Sequence, residues 1–533
     1  PTQSHVVSVS GGIERSVYSS SLSYFNQEGI IGSENKSQFQ RISFRLNTEH
    51  KLYKDIVKVG ENLVYSHSKV RGVGVGNAYD NTVRNFVNAS PIYPVYSDTT
   101  EDGFGRSSKF PLDVNPVAAM HYNDFTIDKF DKLLGNIYTE IEFIKGLSFT
   151  SRLGIDLSFK RTNEYIPVYE LTALETNIHS KAKMSIESNF TYNFENYLTY
   201  AKTLGRHNFM ILAGNTIEEY NKFEVSGEKD DLIIEDFEFA ILDNGTNDTT
   251  QLTNGTKLER ALISYFGRFN YNFDEKYLFT ASLRIDGSSR FGPENRYGLF
   301  PSFSGGWVIS EEDFFKLSWL DFLKLRVSWG QNGNDKISEF VYESLIESQG
   351  MDYYFGAAES KALGSAPTQL PNPKIKWETS EQIDIGFDSR FLSGFSLAFD
   401  WYRKRTKDWL VVAPISDLAG AEAPYINGGE VENKGFEIDL GYSKYFGEFT
   451  FSVNVNLAHN KNEVLAINNE EGIIHGEGSI LFHGHTEFYR AEVGYPIGYF
   501  YGLKSDGIFQ SQDEIDNYIF VNEDLDTNII QRR

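Results

Sequence analysis

Three histidines lie close together near the end of the chain, in the segment HGEGSILFHGH. His475, His483 and His485 are separated by glycines, and Glu477 lies between them. Imidazole and carboxylate groups are common zinc ligands, so the cluster could hold a metal ion. The spacing across this glycine-rich loop matches no familiar site, and we therefore assign no metal ligand. Whether these histidines bind a metal stays open at the level of sequence.

A second candidate is the glycine run at Gly72, Gly74 and Gly76, which could cradle a phosphate. Such a cradle needs a strand before it, a helix after it and a fixed spacing of glycines. The third glycine is misplaced for a dinucleotide-binding fingerprint, and no lysine follows as in a P-loop. We expect a flexible loop at this position.

Two acidic segments could bind a cation. Asp243, Asn244 and Asp248 supply oxygen ligands of the kind that calcium prefers, but the EF-hand spacing is absent. The stretch from Asp506 to Asp526 holds several carboxylates without a ligand pattern. A solvated, charged surface is the simpler interpretation of both segments.

The segment Asp286–Gly292 joins two predicted strands with the sequence DGSSRFG. Asp286 and Arg290 could form an ion pair, and the glycines would permit the chain to turn. We expect a structural role for this segment rather than a catalytic one.

Enzyme motifs are missing from the chain. It has no cysteine, which excludes disulfides, thiolate metal sites and thiol nucleophiles. It also lacks the G-x-S-x-G elbow of hydrolases and the H-E-x-x-H motif of zinc proteases. A carboxylate pair for sugar hydrolysis is recognised by the distance between its two carboxyl groups, which the sequence alone does not give. We assign no catalytic residues and no cofactor, and expect that the protein is not an enzyme.

Aromatic side chains stand together in one predicted loop, at Tyr353, Tyr354 and Phe355. Exposed rings of this kind could stack on sugar rings or pack on a partner protein. They could equally pack on neighbouring loops, and the sequence does not decide among these roles.

The elements that position these residues follow from composition and pattern. The 533 residues are 40% hydrophobic and 15% aromatic, with 31 Tyr and 42 Phe, which argues for a large folded unit rich in strands. The net charge of -24 makes nucleic acid a poor partner, because its phosphates would be repelled. No apolar run approaches the ~18 residues of a membrane helix.

The clearest strand pattern runs from Ala261 to Gly330. One face of its first strand carries Ile263, Tyr265, Gly267, Phe269, Tyr271 and Phe273. The other face carries Ser264, Arg268, Asn270, Asn272 and Asp274, with Phe266 as the exception. A tight turn at residues 274–276 and three further alternating strands follow. Such strands fit a soluble sandwich, whose apolar face is the core, or a membrane barrel, whose apolar face meets lipid.

The lengths of the connections separate these two architectures. Short turns alternate with long loops, of which the longest are 71–126, 219–257, 332–375 and 461–486. Asn77–Val87 could form a short helix, and Asp243–Thr256 reads as mobile surface. We count roughly 16 to 18 strands, many as long as the ~9–11 residues that a tilted membrane strand needs. Short turns at one end of the sheet and long loops at the other are typical of an outer-membrane barrel.

Several segments resemble one known family in their sequence and order. They are YFGRFNYNFDEKYLFTASLRIDGSSRFGPENRYGLFPSFSGGWVISEEDFF, LPNPKIKWETSEQIDIGFD, YINGGEVENKGFEIDL and VGYPIGYFYGLKSDGIFQ, after an opening PTQSHVVSVSGGIERSVYSSSLSYFNQEGI. They are similar to landmarks of the SusC/RagA-like TonB-dependent outer-membrane transporters of Bacteroidetes, and the likeness extends over nearly the whole chain.

The resemblance implies an all-β, transmembrane antiparallel β-barrel with 22 strands in the complete protein. Residues 1–533 would then be a partial barrel, without the N-terminal plug and the last C-terminal strands, and we expect a longer polypeptide. It further implies a cell-outer-membrane location, a SusD-like lipoprotein lid, the TonB–ExbB–ExbD energising complex and import of an oligosaccharide or peptide. Transporter–lid pairs could form dimers. No substrate-binding residue transfers from the family to this chain.

Two alternatives remain from the residues themselves: a passive outer-membrane porin and a soluble carbohydrate-binding β-protein. The barrel interpretation also yields an expectation for one residue. If Tyr271 lies near mid-bilayer, its replacement by Arg should hinder membrane insertion by ~2–4 kcal/mol.

Overall fold

The computed structural model describes residues 1–32, 36–53, 55–73, 81–92, 94–106, 113–123, 125–173, 175–315, 317–347, 352–357, 359–362, 364–413, 418, 420–469, 471–476, 487–502, 507–517, 519–522 and 527–530. Most of these residues belong to one antiparallel sheet of 16 strands. The strands are β1 (Thr2–Ile13), β2 (Ser16–Glu28), β3 (Gln38–Leu52), β4 (Val57–Arg71), β5 (Thr126–Ile144), β6 (Leu147–Ile166), β7 (Lys181–Leu204), β8 (His207–Leu232), β9 (Gly245–Phe273), β10 (Tyr277–Ser288), β11 (Tyr297–Val308), β12 (Leu320–Asn334), β13 (Glu378–Phe391), β14 (Phe395–Lys407), β15 (Gly429–Phe446) and β16 (Phe449–Ile467).

The strands follow one another in the sheet in the order of the chain, so each inner strand pairs with its two sequence neighbours and β1 and β16 form the edges. The predicted count of 16 to 18 strands and the four strands of the segment 261–330 are confirmed. Continuous registers, such as Tyr277 opposite Trp307, carry the two-residue alternation from strand to strand. Within a strand, side chains of one parity therefore share one face of the sheet, except where the register shifts, as between Glu228 and Asp230.

The two faces differ as the alternation predicts. Apolar side chains such as Tyr265, Phe303 and Val327 are 47 to 50% exposed on one face. In a two-layer sandwich these rings and branched chains would pack against a second sheet and be buried. Their exposure along strand after strand fits a surface that faces lipid instead.

Tight turns close one end of the sheet. Two-residue connections join β5 to β6 at Lys145-Gly146 and β7 to β8 at Gly205-Arg206. Gly146 has a φ of +86°, and a Cβ there would lie 2.2 Å from the carbonyl oxygen of Ala201. Only glycine tolerates both conditions, so this residue fixes the hairpin.

The opposite end carries the long connections and most of the small elements, whereas the 3-10 helix Ile309–Glu311 lies between β11 and β12, at the end of the tight turns. The helices are α1 (Thr82–Asn88), α2 (Pro116–Asn123) and α3 (Gln512–Asn517), and single-turn 3-10 helices are Phe237–Phe239, Leu242–Asn244 and Ile309–Glu311. The short strands are Tyr169–Glu170, Thr176–Asn177, Ile346–Glu347, Tyr353–Phe355, Ser360–Ala362, Ala366–Pro367, Leu410–Val412, Tyr425–Asn427, Ile473–His475, Tyr489–Glu492, Tyr499–Phe500, Ile519–Asn522 and Thr527–Ile530. The α1 helix overlaps the predicted one at Asn77–Val87. None of the described helices is long and apolar enough to cross a membrane.

The predicted loop 219–257 is wrong in its extent. Strands β8 and β9 continue through most of it as a paired ladder, and only residues 233–244 connect them. The interpretation of Asp243–Thr256 as mobile surface fails for the same reason. Its polarity suggested a loop, but its threonines favour extended backbone and the ladder satisfies the backbone groups of both strands.

Tyr271 does not lie at the middle of its strand. It precedes the turn at Asp274 by three residues, which is ~10 Å along the strand. Its hydroxyl is 2.8 Å from Nδ1 of His207, a residue at the start of β8. The expectation for Tyr271→Arg was conditional on a mid-bilayer position; because Tyr271 lies beside the turn, residues nearer the strand centres test the apolar face better.

Candidate functional site: the polar face and the long-loop end

The polar face of the sheet carries cross-strand hydrogen bonds between the side chains that the alternation placed there. Asn270 accepts from Nε of Arg268 at 3.1 Å and from the hydroxyl of Thr280 at 3.0 Å. Farther along, Arg284 donates to Ser264 at 2.8 Å. This wall is hydrophilic and ordered, and it can hydrogen-bond water or a polar solute.

The strongest single arrangement on this wall is centred on Arg326 in β12. Its guanidinium donates to both oxygens of Asp388, at 2.8 and 3.0 Å, and to both oxygens of Asp400, at 2.9 and 3.0 Å. The carboxylates come from β13 and β14, so three strands meet at one side chain. Planar, two-pronged pairing fixes the guanidinium in place more firmly than a single ion pair would.

We call the pairing of Arg326 with Asp388 and Asp400 the clamp, and a glycine leaves the space that it needs. Gly386 lies in β13 directly opposite Asp400, and a Cβ there would be 2.2 Å from Oδ1 of that aspartate. The clamp borders a recess of about 280 Å³ on the polar face, which is also lined by Lys324 and Asp384. The recess therefore presents both signs of charge to its interior.

A second network lies on the polar face of β7 and β8. The ammonium of Lys222 is 3.0 Å from Glu187 and 2.9 Å from Glu224. Asn189 donates to Glu187 at 2.7 Å and accepts from Tyr220 at 2.7 Å. Like the clamp, this network leaves its groups partly exposed and could exchange hydrogen bonds with a passing solute.

The predicted pairing of Asp286 with Arg290 is wrong. Asp286 accepts two hydrogen bonds from Nε of Arg284, at 2.8 and 2.9 Å. Arg284 stands two residues earlier on the same face of β10, which brings the two side chains together. Arg290 instead donates to Glu339 at 3.2 Å and to the carbonyl of Asp335 at 3.0 Å, and so ties together two long connections.

A small apolar core supports the same end. Phe291 is fully buried and packs against Trp377 with ring centroids 5.1 Å apart. Gly287 is needed because a neighbouring side chain packs closely on its backbone, not because the chain adopts a left-handed conformation there. A Cβ at Gly287 would lie 2.5 Å from the ring of Tyr297. The structure thus gives Asp286–Gly292 a supporting role in the loop end.

Of the three histidines, the structure describes His475, and both ring nitrogens are engaged by carboxylates. Nδ1 is 2.8 Å from Glu487 and Nε2 is 3.1 Å from Glu471. These hydrogen bonds, first that of Glu487 and then that of Glu471, raise the pKa of His475. His483, His485 and Glu477 lie outside the described residues, so the metal hypothesis is not tested. Within the described part of the chain, no group of three or more His, Asp or Glu side chains is arranged so that it could hold a metal ion.

The remaining candidates do not assemble into a site among the described residues. Asn244 donates from its side chain to backbone carbonyls of Ile234 and Phe239. Asp248 is 2.7 Å from Lys229, which neutralises it. Gly72 is described, whereas Gly74, Gly76, Asp506 and Asp526 lie outside the described residues.

The loop aromatics stand clear of the sheet. Tyr353–Phe355 forms a short strand paired with Ser360–Ala362, and its three rings are 59 to 66% exposed. The rings of Tyr353 and Phe355 contact one another, with centroids 4.9 Å apart. The arrangement offers an aromatic platform at the long-loop end.

The alternation of the segment 261–330 is sufficient to place Arg326 on the polar face, but it does not identify the partners of this side chain. Asp388 and Asp400 are 62 and 74 residues away along the chain. The only available signal was the parity of the aspartates within their own strands. The register between strands, which brings them within hydrogen-bonding distance, is not readable from a single sequence.

Comparison with known proteins yields a family and several relatives. The family model described as TonB dependent receptor-like, beta-barrel, matches residues 74–478. TonB-dependent receptor P3 of Formosa agariphila is 29% identical over 512 residues, which are 94% of this chain and 49% of that protein. TonB-dependent receptor SusC of Bacteroides thetaiotaomicron is 27% identical over 531 residues, covering 93% of this chain and 50% of that protein. The chain spans about half the length of the curated relatives it matches.

Solved structures share the architecture. The RagAB peptide transporter has a TM-score of 0.79 at 23% identity, covering 99% of this chain and 57% of that chain. The siderophore receptor PirA from Acinetobacter baumannii has a TM-score of 0.52 at 13% identity, covering 89% and 61%. At these identities the likeness concerns the fold alone.

Proposed function

Because the chain belongs to the TonB-dependent receptor-like β-barrel family, we propose that it forms the wall of an outer-membrane importer for a nutrient. The observation that carries the proposal is the division of one long antiparallel sheet into an exposed apolar face and a hydrogen-bonded polar face. The apolar face meets lipid, and the polar face surrounds a wet passage. The long connections face the outside of the cell, and the tight turns face the periplasm.

In this proposal the chain's residues bind and guide a solute and perform no covalent chemistry. The clamp at Arg326 and the network at Lys222 line the passage with fixed donors and acceptors. The ion pairs also hold neighbouring strands in register. The segment Asp286–Gly292 orders the loops at the outer mouth.

We propose that the substrate is an oligosaccharide or a peptide. The RagAB relative is named as a peptide transporter, which supports a peptide as one class. The platform at Tyr353, Tyr354 and Phe355 suits either class, because aromatic rings stack on sugar faces and pack on apolar side chains. Tyr354→Ala should weaken binding of the true substrate, as measured by calorimetry on the complete protein.

The partners in this proposal are a SusD-like surface lipoprotein over the outer mouth and the TonB–ExbB–ExbD complex at the inner end. The likeness to SusC and to the RagAB peptide transporter supports them. Affinity purification of the complete protein from its own outer membrane should recover a lipoprotein of that type. Recovery of two copies of each would support a dimer of transporter–lid pairs.

Energised import is distinguished from a passive porin by uptake in intact cells. Labelled oligosaccharide and peptide mixtures are offered to cells with and without the gene, in the presence and absence of a protonophore. The proposal expects uptake of one class that requires both the gene and the proton gradient. Gene-dependent uptake that survives the protonophore would indicate a porin. Recovery of the complete protein in the soluble fraction without detergent would favour a soluble binding protein.

A further inference from the structure

On β14, β15 and β16, the apolar face of the sheet carries one row of charged side chains. Arg403 lies directly opposite Lys434, and Lys434 lies directly opposite Lys461. Three cations therefore stand abreast on adjacent strands. The row next to them, toward the tight turns, is aromatic, with Trp401 opposite Phe436 and Phe436 opposite His459.

Like charges placed directly opposite each other destabilise a sheet unless something compensates them. Here the compensation is incomplete. Arg403, Lys434 and Arg405 all contact one carboxylate, that of Glu432, which is itself only 4% exposed. Lys461 is 2.9 Å from Glu463. The side chains of the three cations are 44, 45 and 60% exposed, so their charge is presented outward.

The same arrangement recurs on β4, β5 and β6. Lys69 lies opposite Lys129, and Lys129 lies opposite Arg161. Arg161 is 3.2 Å from Asp131, whereas neither lysine forms an ion pair within the described part of the chain. The next row toward the tight turns places His67 opposite Asp131 and Asp131 opposite Phe159, and only the row after it is apolar and aromatic, with Tyr65 opposite Leu133.

Cations on the polar face of β5 and β6 are arranged differently. Lys132 is 2.9 Å from Asp156, and Arg152 is 3.7 Å from Glu195, so each has a carboxylate of its own on the neighbouring strand. Both cation rows lie on the opposite, apolar face, near the strand ends that carry the long connections. A soluble anion would have no reason to select that face.

We infer that these two rows are docking sites for a phosphorylated lipid of the outer leaflet. A headgroup phosphate accepts hydrogen bonds from neighbouring cations of a row, which spans ~10 Å over three strands. The acyl chains then lie along the apolar side chains below. Charge complementarity selects the headgroup, and the adjoining rings, such as Trp401, select a lipid over a free anion. The inference rests on the membrane placement proposed above and is independent of the transported substrate.

The test measures binding of lipid A to the complete protein in a neutral detergent, by native mass spectrometry and by the shift in unfolding temperature. Three probes are compared: lipid A with its phosphates, lipid A from which the phosphates have been removed, and inorganic phosphate. The variant Arg403→Gln/Lys434→Gln/Lys461→Gln should bind phosphorylated lipid A on the order of a hundredfold more weakly. Lys69→Gln/Lys129→Gln should cause a separate loss of about tenfold.

The matched control removes three cations from the polar face, with Lys132→Gln/Lys324→Gln/Lys404→Gln. Lys404 is especially informative, because it lies between Arg403 and Arg405 on the same strand. The control should retain lipid binding. The variant Arg403→Lys/Lys434→Arg/Lys461→Arg keeps the charge of the row and should also retain binding, which would show that a loss in the Gln variant is due to charge and not to a folding defect. Equal loss in the control, equal binding of the dephosphorylated lipid, or saturation by inorganic phosphate alone would overturn the inference. Any of these results together with intact uptake would leave the proposed transport function standing.

Discussion

The clamp at Arg326 predicts a measurable coupling between strands β12 and β14. Removing one charged partner with Asp400→Asn leaves Arg326 with a single carboxylate, that of Asp388. Hydrogen bonds to charged groups contribute ~1.5–3 kcal/mol when well shielded. The three side chains are 29 to 36% exposed, and water screens them in part. We therefore expect a coupling near the low end, about 1–2 kcal/mol.

A double-mutant cycle isolates that coupling. The single variants Asp400→Asn and Arg326→Gln and their combination are unfolded from lipid vesicles in urea, and the free energies of unfolding are compared. The double variant should be less destabilised than the sum of the singles by about 1–2 kcal/mol. Asp439→Asn, an exposed aspartate on the polar face of β15, serves as control and should not couple to Arg326. Additivity of the Asp400 and Arg326 variants within ~0.3 kcal/mol would refute the reasoning.

Two further predictions concern single positions. Gly146→Ala should lower the free energy of unfolding by more than ~1 kcal/mol, because Gly146 has a positive φ and an added Cβ would approach a backbone carbonyl. The control is Gly72→Ala, which should leave the urea midpoint nearly unchanged because no atom lies within 4 Å of an added Cβ at that position. The pKa of His475 is raised above its ordinary value of 6.5 by Glu487 and Glu471. The stabilisation of this loop should therefore be complete below about pH 6.5 and be lost as the pH rises through the raised pKa. Hydrogen exchange of the loop should show that loss, and His475→Gln should abolish the pH dependence; an unchanged profile in that variant would exclude the histidine as its cause.

The sequence predicted the sheet because alternation is a local property. In the segment 261–330, each strand could be assigned to two faces from its own residues, and the turn at 274–276 could be located from three polar residues. The same approach failed at 219–257, where polar residues on both faces resembled a loop. There the extended ladder between β8 and β9 is maintained by backbone pairing, which composition does not report.

The candidate site was less accessible to sequence reasoning, because its contacts are set by register. The partners of Arg326 come from two later strands, and the cation row at Arg403 exists only because β14, β15 and β16 align in one way. Likewise, Asp286 and Arg290 suggested an ion pair by proximity in sequence, but the local geometry directs their side chains to different partners. Parity places a residue on a face, whereas the register decides what it contacts.

The central claim is that the apolar face meets hydrocarbon, and neighbouring residues of β11 test it most directly. Phe303 lies on the apolar face, 47% exposed and stacked on Trp329 at 6.0 Å, while Ser302 lies on the polar face. The measurement is the free energy of folding of the complete protein into lipid vesicles for Phe303→Arg and Ser302→Arg. We predict a loss of ~2–4 kcal/mol for Phe303→Arg and ~1 kcal/mol or less for Ser302→Arg. Equal losses, or a larger loss for Ser302→Arg, would contradict the assignment of the two faces.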